Sequence, residues 1–182
     1  MSDRAKNMLV IIGEHFLFVV MAFLLVSTFE ALLKNHMYII SIATALLYVS
    51  STYSAGWNTS KKDLGIAKEK LRKNNGEGSL DYRIYDGFII ALPALVISLS
   101  LFVLYRFSGG LWEFFFRVYN YSFLFVISKG DYPDVEIMPF LAFVASVLPY
   151  AAYSLGYVLG KSRKVLFIKY IPKIIFKSKN KE

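Results

Sequence analysis

Four stretches of this chain are apolar over a length that crosses a lipid bilayer: residues 8–33, 37–57, 87–105 and 137–160. A helix needs about 20 consecutive apolar residues to span a hydrocarbon core of about 30 Å. The first stretch holds Glu14 and has no small-x-small cleavage pattern ahead of a soluble domain, so it reads as a retained helix. Lys34-Asn35-His36 is too short to let the next stretch wander, and the first two helices form an antiparallel hairpin. Pro93 and Pro149 fall inside the third and fourth stretches. A spanning helix tolerates proline where neighbours satisfy the freed carbonyl, so kinks are expected there.

A fifth stretch, residues 111–128, has a different pattern. Trp112, Phe114, Phe115, Phe116, Tyr119, Tyr121, Phe123 and Phe125 make it strongly aromatic. Glu113 and Arg117 are four apart and can pair on one helical face. Its charge, its aromatic content and Asn120 point to an interfacial or re-entrant segment rather than a fifth span. The expectation is a helix lying at the outer interface.

Between the second and third spans lies one sizeable hydrophilic stretch, residues 58–86. Lys61 to Lys73 has the charge content of a short surface helix, and Asn74-Asn75-Gly76-Glu77-Gly78-Ser79 is a breaker. After residue 160 comes a basic tail, 161–182, broken by Pro172, with Lys161, Lys164, Lys169, Lys173 and Lys177 close to one helical face. Such a tail is suited to anionic lipid headgroups, worth about 1 kcal/mol per lysine near the surface. With four spans and a cytoplasmic N-terminus, seventeen of the 21 basic residues fall on the cytoplasmic side. A fifth span would carry the basic tail outside. The reading is therefore an all-α integral membrane bundle of four transmembrane helices over residues 1–160, with an extracytoplasmic interfacial helix, a basic cytoplasmic tail and both termini inside.

Composition narrows the chemistry. There is no cysteine, which removes disulfides, thiolate metal sites and thiol nucleophiles. The two histidines, His15 and His36, make no usual zinc site without carboxylate help. A net charge of +8 would suit nucleic acid in a soluble protein. In a chain that is 56% hydrophobic it marks cytoplasmic segments and anionic lipid instead. Phosphate-cradling, metalloprotease and serine-hydrolase motifs are absent. Asp131, Asp134 and Glu136 read as a solvated acidic loop. No cofactor, metal or nucleic acid is expected, and no enzyme.

Two places carry candidate function. Tyr53-Ser54-Ala55-Gly56-Trp57 is echoed one hundred residues on by Tyr153-Ser154-Leu155-Gly156-Tyr157, each followed by a small residue and lysine. Either a helix hairpin was duplicated and the two elements flank one site, as in many transporters. Or two helix ends converged on glycine for close packing and aromatics for the interfacial belt. The second place is Glu14 and His15, ionisable residues inside an apolar run and thus functional candidates. Helix geometry puts them at the depth of the repeated element. One polar, aromatic-lined cluster of Glu14, His15, Tyr53, Trp57, Tyr153 and Tyr157 is the candidate site, with Glu14 turned inward and His15 flanking it. A snorkelling Glu14 and a merely packed His15 are the plain alternative. Near the opposite ends of their helices, Glu30 and Arg106 are a possible ion pair.

The strings Tyr53-x-x-Gly56-Trp57-x-x-x-Lys61-Lys62-Asp63 and Leu155-Gly156-Tyr157-x-x-Gly160 resemble a family of small, uncharacterised four-helix membrane proteins of Gram-positive bacteria. The resemblance implies a bacterial plasma membrane and brings no activity or site residues. The functional expectation is a non-catalytic subunit or docking protein of a membrane complex, with a protein partner or a second copy of itself. A small transporter or channel component working through the Glu14 cluster is the alternative.

Overall fold

The architecture is that of a computed structural model that describes residues 3–33, 36–74, 82–128 and 136–161. Every regular element among them is helical: α1 Asp3–Leu33, α2 Met37–Lys73, α3 Asp86–Ser108, α4 Leu111–Tyr119, α5 Leu124–Ile127 and α6 Pro139–Lys161. A single 3₁₀ turn, Tyr121–Phe123, joins α4 to α5. Four helices, α1, α2, α3 and α6, are long and apolar enough to cross a membrane. Their outward faces carry Leu9, Leu17, Leu46, Phe88 and Phe140, each more than half exposed, as a lipid-facing surface requires. This is a multi-pass, all-α membrane bundle.

Neighbouring contacts give the directions. Arg4 meets Asp86, and Ile11 packs with Ile90, so α1 and α3 run parallel. Tyr48 packs with Ala142 and Ala145, and Gly56 touches Tyr153, so α2 and α6 also run parallel. The contacts close a ring in the order α1, α2, α6, α3. One end of the ring, the basic end, holds Arg4, Asp86 and Lys161.

The expected polar stretch from residue 58 to 86 is only partly a loop. α2 does not stop at Trp57 but continues unbroken to Lys73, giving 37 residues and a length of about 55 Å. About 20 residues suffice for the membrane. The remainder projects past the basic end and packs Ala67 inward, 4% exposed. Polarity changed at residue 58, but nothing there breaks a helix. The first turn-forming cluster is Asn74 onward. Pro93 and Pro149 are accommodated within continuous α3 and α6.

The expected interfacial helix at 111–128 is instead a re-entrant hairpin. Gly109 and Gly110, at φ of 56° and 52°, reverse the chain at the top of α3. α4 then descends along α3, with Phe116 stacked on Tyr105 at 4.8 Å. At the tip Asn120, Ser122 and Phe123 are buried and Tyr121 is partly buried, and α5 climbs back to an isolated antiparallel bridge between Ser128 and Ile137, next to the start of α6. The segment therefore enters and leaves on one side, and the number of spans stays at four. Its polar groups explain why it is not interfacial. The Ser122 hydroxyl donates to the Phe18 carbonyl, while the Ser122 carbonyl accepts from Ser41 and Thr44, each at 3.0 Å. Irregular backbone is tolerated at membrane depth only when protein satisfies it in this way.

Candidate functional site

The hairpin tip reaches the middle of the bundle and ends on a histidine. His15 is 4% exposed and stacks on the Tyr119 ring at 3.8 Å. Its Nε2 lies 2.8 Å from the Tyr119 carbonyl, and its Nδ1 lies 2.8 Å from the Tyr48 hydroxyl. A carbonyl only accepts, so Nε2 carries a proton. In neutral imidazole Nδ1 then accepts from Tyr48. The Tyr119 hydroxyl lies 2.8 Å from that of Tyr150, and the hydroxyls of Tyr48 and Ser98 lie beside Tyr150. Ser98 itself makes no bond of hydrogen-bond geometry. Four helices thus bring one histidine and three tyrosines together at mid-depth: His15 from α1, Tyr48 from α2, Tyr119 from α4 and Tyr150 from α6.

The six residues singled out by sequence do not surround one centre. The inward residue of the Glu14–His15 pair is His15, because the helix turns about 100° per residue and only one of two neighbours faces the core. Glu14 is half-buried, within electrostatic reach of Tyr48 and Tyr153, and its Oε2 is buried without a hydrogen-bond partner. The Tyr53 hydroxyl and the Trp57 Nε1 are likewise buried and unpaired, and the Tyr153 hydroxyl lies beside Thr59 without a bond of hydrogen-bond geometry. Tyr153 is 1% exposed, so its hydroxyl is deeply placed. Tyr157 belongs to the basic end: its hydroxyl donates to Asp63 at 2.8 Å, and its ring lies parallel to Tyr82 at 5.8 Å. The Trp57 ring sits under the Lys61 ammonium at 3.5 Å.

The repeated glycines have a reciprocal role. A Cβ on Gly56 would land on the Tyr153 carbonyl, and a Cβ on Gly156 would land on the Tyr53 carbonyl. Thr52, Gly56 and Ser60 are buried at four-residue spacing on α2, facing Gly156 and Gly160 on α6. This is the small-xxx-small packing that lets membrane helices approach backbone to backbone. The reciprocity stops at this helix pair. A two-fold axis at the α2–α6 contact would throw α1 and α3 to opposite sides, whereas α1 and α3 touch each other.

At the basic end, a cavity of about 180 Å³ is lined by Arg4, Asp63, Lys70, Tyr82, Asp86 and Tyr157 among others. Arg4 and Asp86 are joined across it through both carboxylate oxygens, at 3.0 and 2.9 Å. Burial pushes the Tyr82 phenol above its usual value. On the lipid-facing side a separate apolar crevice of about 400 Å³ lies between α1, α3 and α4, with Phe16, Leu101, Trp112 and Tyr119 in its wall.

No family model, curated protein or solved structure matches the chain. No group of three metal-ligating side chains occurs among the described residues. The Glu30 side chain, Lys34, Asp131 and Asp134 lie outside the described residues, as do Lys164, Lys169, Lys173 and Lys177 of the tail. Arg106 is exposed. Of the tail lysines, Lys161 is described, its ammonium 5.3 Å from the Tyr82 ring.

Sequence reasoning passed over Tyr48, Tyr119 and Tyr150. A signal was present. Tyr48 and Tyr150 lie in the middle of their apolar runs, where the interfacial preference of tyrosine cannot account for them. A phenol at that depth needs a partner inside the protein.

Proposed function

We propose that this protein is a membrane transport component whose working site is the His15–Tyr48–Tyr150–Tyr119 array, with Glu14 beside it. One observation carries the reading: a titratable side chain and three phenols are held at mid-bilayer depth by a hairpin that enters and leaves on the same side. His15 satisfies the Tyr119 carbonyl at the hairpin tip, but the linked hydroxyls of Tyr48, Tyr119 and Tyr150 go beyond what that one bond requires, and an ionisable group at this depth is a functional candidate by default. The basic end, with Arg4, Lys6, Lys61, Lys62 and Lys161, faces the cytoplasm in this reading and rests on anionic lipid of a bacterial plasma membrane.

A docking or accessory subunit is the second reading. It is favoured by the exposed aromatics of α4, Trp112, Phe114 and Phe115, of which Trp112 and Phe115 border the apolar crevice. Purification in mild detergent followed by reconstitution separates the two. Transport predicts that liposomes carrying the protein alone pass an ion or solute that empty liposomes retain, and that Tyr48→Phe reduces the flux. Liposomes that stay tight under every imposed gradient, with one stoichiometric partner copurifying, would favour docking.

A further inference from the structure

We propose that His15 is a proton-binding site reached from the basic end of the bundle, which makes the proton the ion this protein handles. The inference rests on the transport reading above and gives it a substrate. His15 has one nitrogen to offer, and it is already oriented. Nε2 is fixed as a donor by the Tyr119 carbonyl, and Nδ1 holds its lone pair toward Tyr48. A metal ion would need Nδ1 together with further ligands, and no group of three His, Asp or Glu accompanies it among the described residues. A proton needs only the lone pair. On protonation, Nδ1 gains an N–H bond and becomes the donor. The Tyr48 oxygen becomes its acceptor, and the Tyr48 hydroxyl proton turns away toward Tyr150. One proton is added and no other bond to hydrogen is lost.

The route to His15 is polar on one side only. Toward the basic end lie the Glu14 carboxylate, whose Oε2 is unpaired, and the Tyr153 hydroxyl, which sits beside Thr59 and within electrostatic reach of Glu14 and Asp63. Below them the Tyr157–Asp63 bond opens into the 180 Å³ cavity. On the other side the hydroxyls of Ser41, Thr44 and Ser122 all bond to backbone carbonyls, and Phe116, Phe123 and Ile127 fill the space between helices. The hairpin tip therefore caps a blind polar column. The titratable groups facing His15 are Tyr48 from α2, Tyr119 from α4 and Tyr150 from α6. Glu14 is the adjacent charge on α1, and α3 contributes the Ser98 hydroxyl beside Tyr150.

The chain has two histidines, so ¹⁵N-histidine labelling of the full-length protein in lipid nanodiscs gives two ring systems, and His36→Gln assigns them. The expected spectrum shows His15 as the Nε2–H tautomer at neutral pH and as imidazolium on acidification. Glu14→Gln removes the nearby carboxylate that favours imidazolium, and should move the midpoint to lower pH. Tyr48→Phe should move it as well, with the fold kept. An Nδ1–H tautomer, a resonance that stays neutral until the protein unfolds, or a midpoint indifferent to both variants would overturn the proposal. A pH-dye assay on proteoliposomes separates it from the reading beneath. Titration of His15 in proton-tight liposomes refutes transport and keeps the site. Proton flux without His15 titration refutes the site.

Discussion

The two ends of the bundle are built in opposite ways. At the basic end α2 and α6 touch backbone to backbone, with Gly56 and Gly156 each lying where any Cβ would strike the other helix's carbonyl. At the other end α2 and α6 do not close on each other alone, because the hairpin of α4 and α5 packs among all four helices. One end is tight because side chains were removed, and the other is filled by a fifth segment of chain. The mid-depth array sits where the two regimes meet. Tyr153 and Tyr53 supply the carbonyls under the glycines below it, and the hairpin tip supplies the Tyr119 carbonyl above it.

This contrast breaks most severely at the glycines. Gly156→Val should cost more than the roughly 1–3 kcal/mol usual for overpacking, because the obstacle is backbone and cannot rotate away. Loss of a folded, monodisperse species in detergent is the expected readout. Gly13, which has open space around its would-be Cβ, is the control. Gly13→Ala should be neutral or stabilise α1 by up to about 1 kcal/mol. Equal thermal stability of the two variants would remove the distinction.

A smaller effect is expected where the hairpin begins. Gly110→Val forces a β-branched residue to φ of 52°, at a cost of roughly 1–3 kcal/mol. Its signature should be local: faster proteolysis or hydrogen exchange in α4 and α5, with the α2–α6 contact unchanged. Destabilisation spread evenly over the bundle would contradict the separation of the two ends.

Smaller again is Ser122→Ala, which removes the donor to the Phe18 carbonyl and should cost about 1 kcal/mol. Least of all is Arg4→Ala. The Arg4 side chain is 53% exposed, so its pair with Asp86 should contribute about 0–1 kcal/mol and fade with added salt. Melting temperatures of the two variants at low and high ionic strength check both. An Arg4→Ala loss larger than that of Ser122→Ala, and insensitive to salt, would mean that the basic-end pair is buried in the assembled protein.

Much of this was legible in the chain. The spans show in the length of the apolar runs, and the α1–α2 hairpin shows in three connecting residues. The glycines announced close helix packing, although not which helices would meet. Contact between α2 and α6 depends on the ring order, which periodicity does not encode. The continuation of α2 past Trp57 was obscured because polarity marks the edge of a membrane, whereas helix ends are marked by breakers such as Asn74-Asn75-Gly76. The hairpin at 111–128 was half-visible in Asn120 and the crowded aromatics. Its depth follows from Ser122, Ser41, Thr44 and His15 meeting across up to 104 positions of sequence, a pairing no local pattern reveals. The same holds for the choice of His15 over Glu14 as the buried residue. One residue, about 100° of helix rotation, separates the two outcomes, and only the neighbours decide.

Side-specific cysteine labelling tests the central feature, the re-entrant hairpin, most directly, because the chain has no cysteine of its own. Leu111→Cys and Glu136→Cys bracket the segment at exposed positions, and Lys73→Cys marks the basic end. An impermeant reagent should reach 111 and 136 from the same face of the membrane and 73 from the opposite face, and it should reach Asn120→Cys from neither. Labelling of 111 and 136 from opposite faces would mean that the segment crosses the bilayer, and it would take the mid-depth array apart with it.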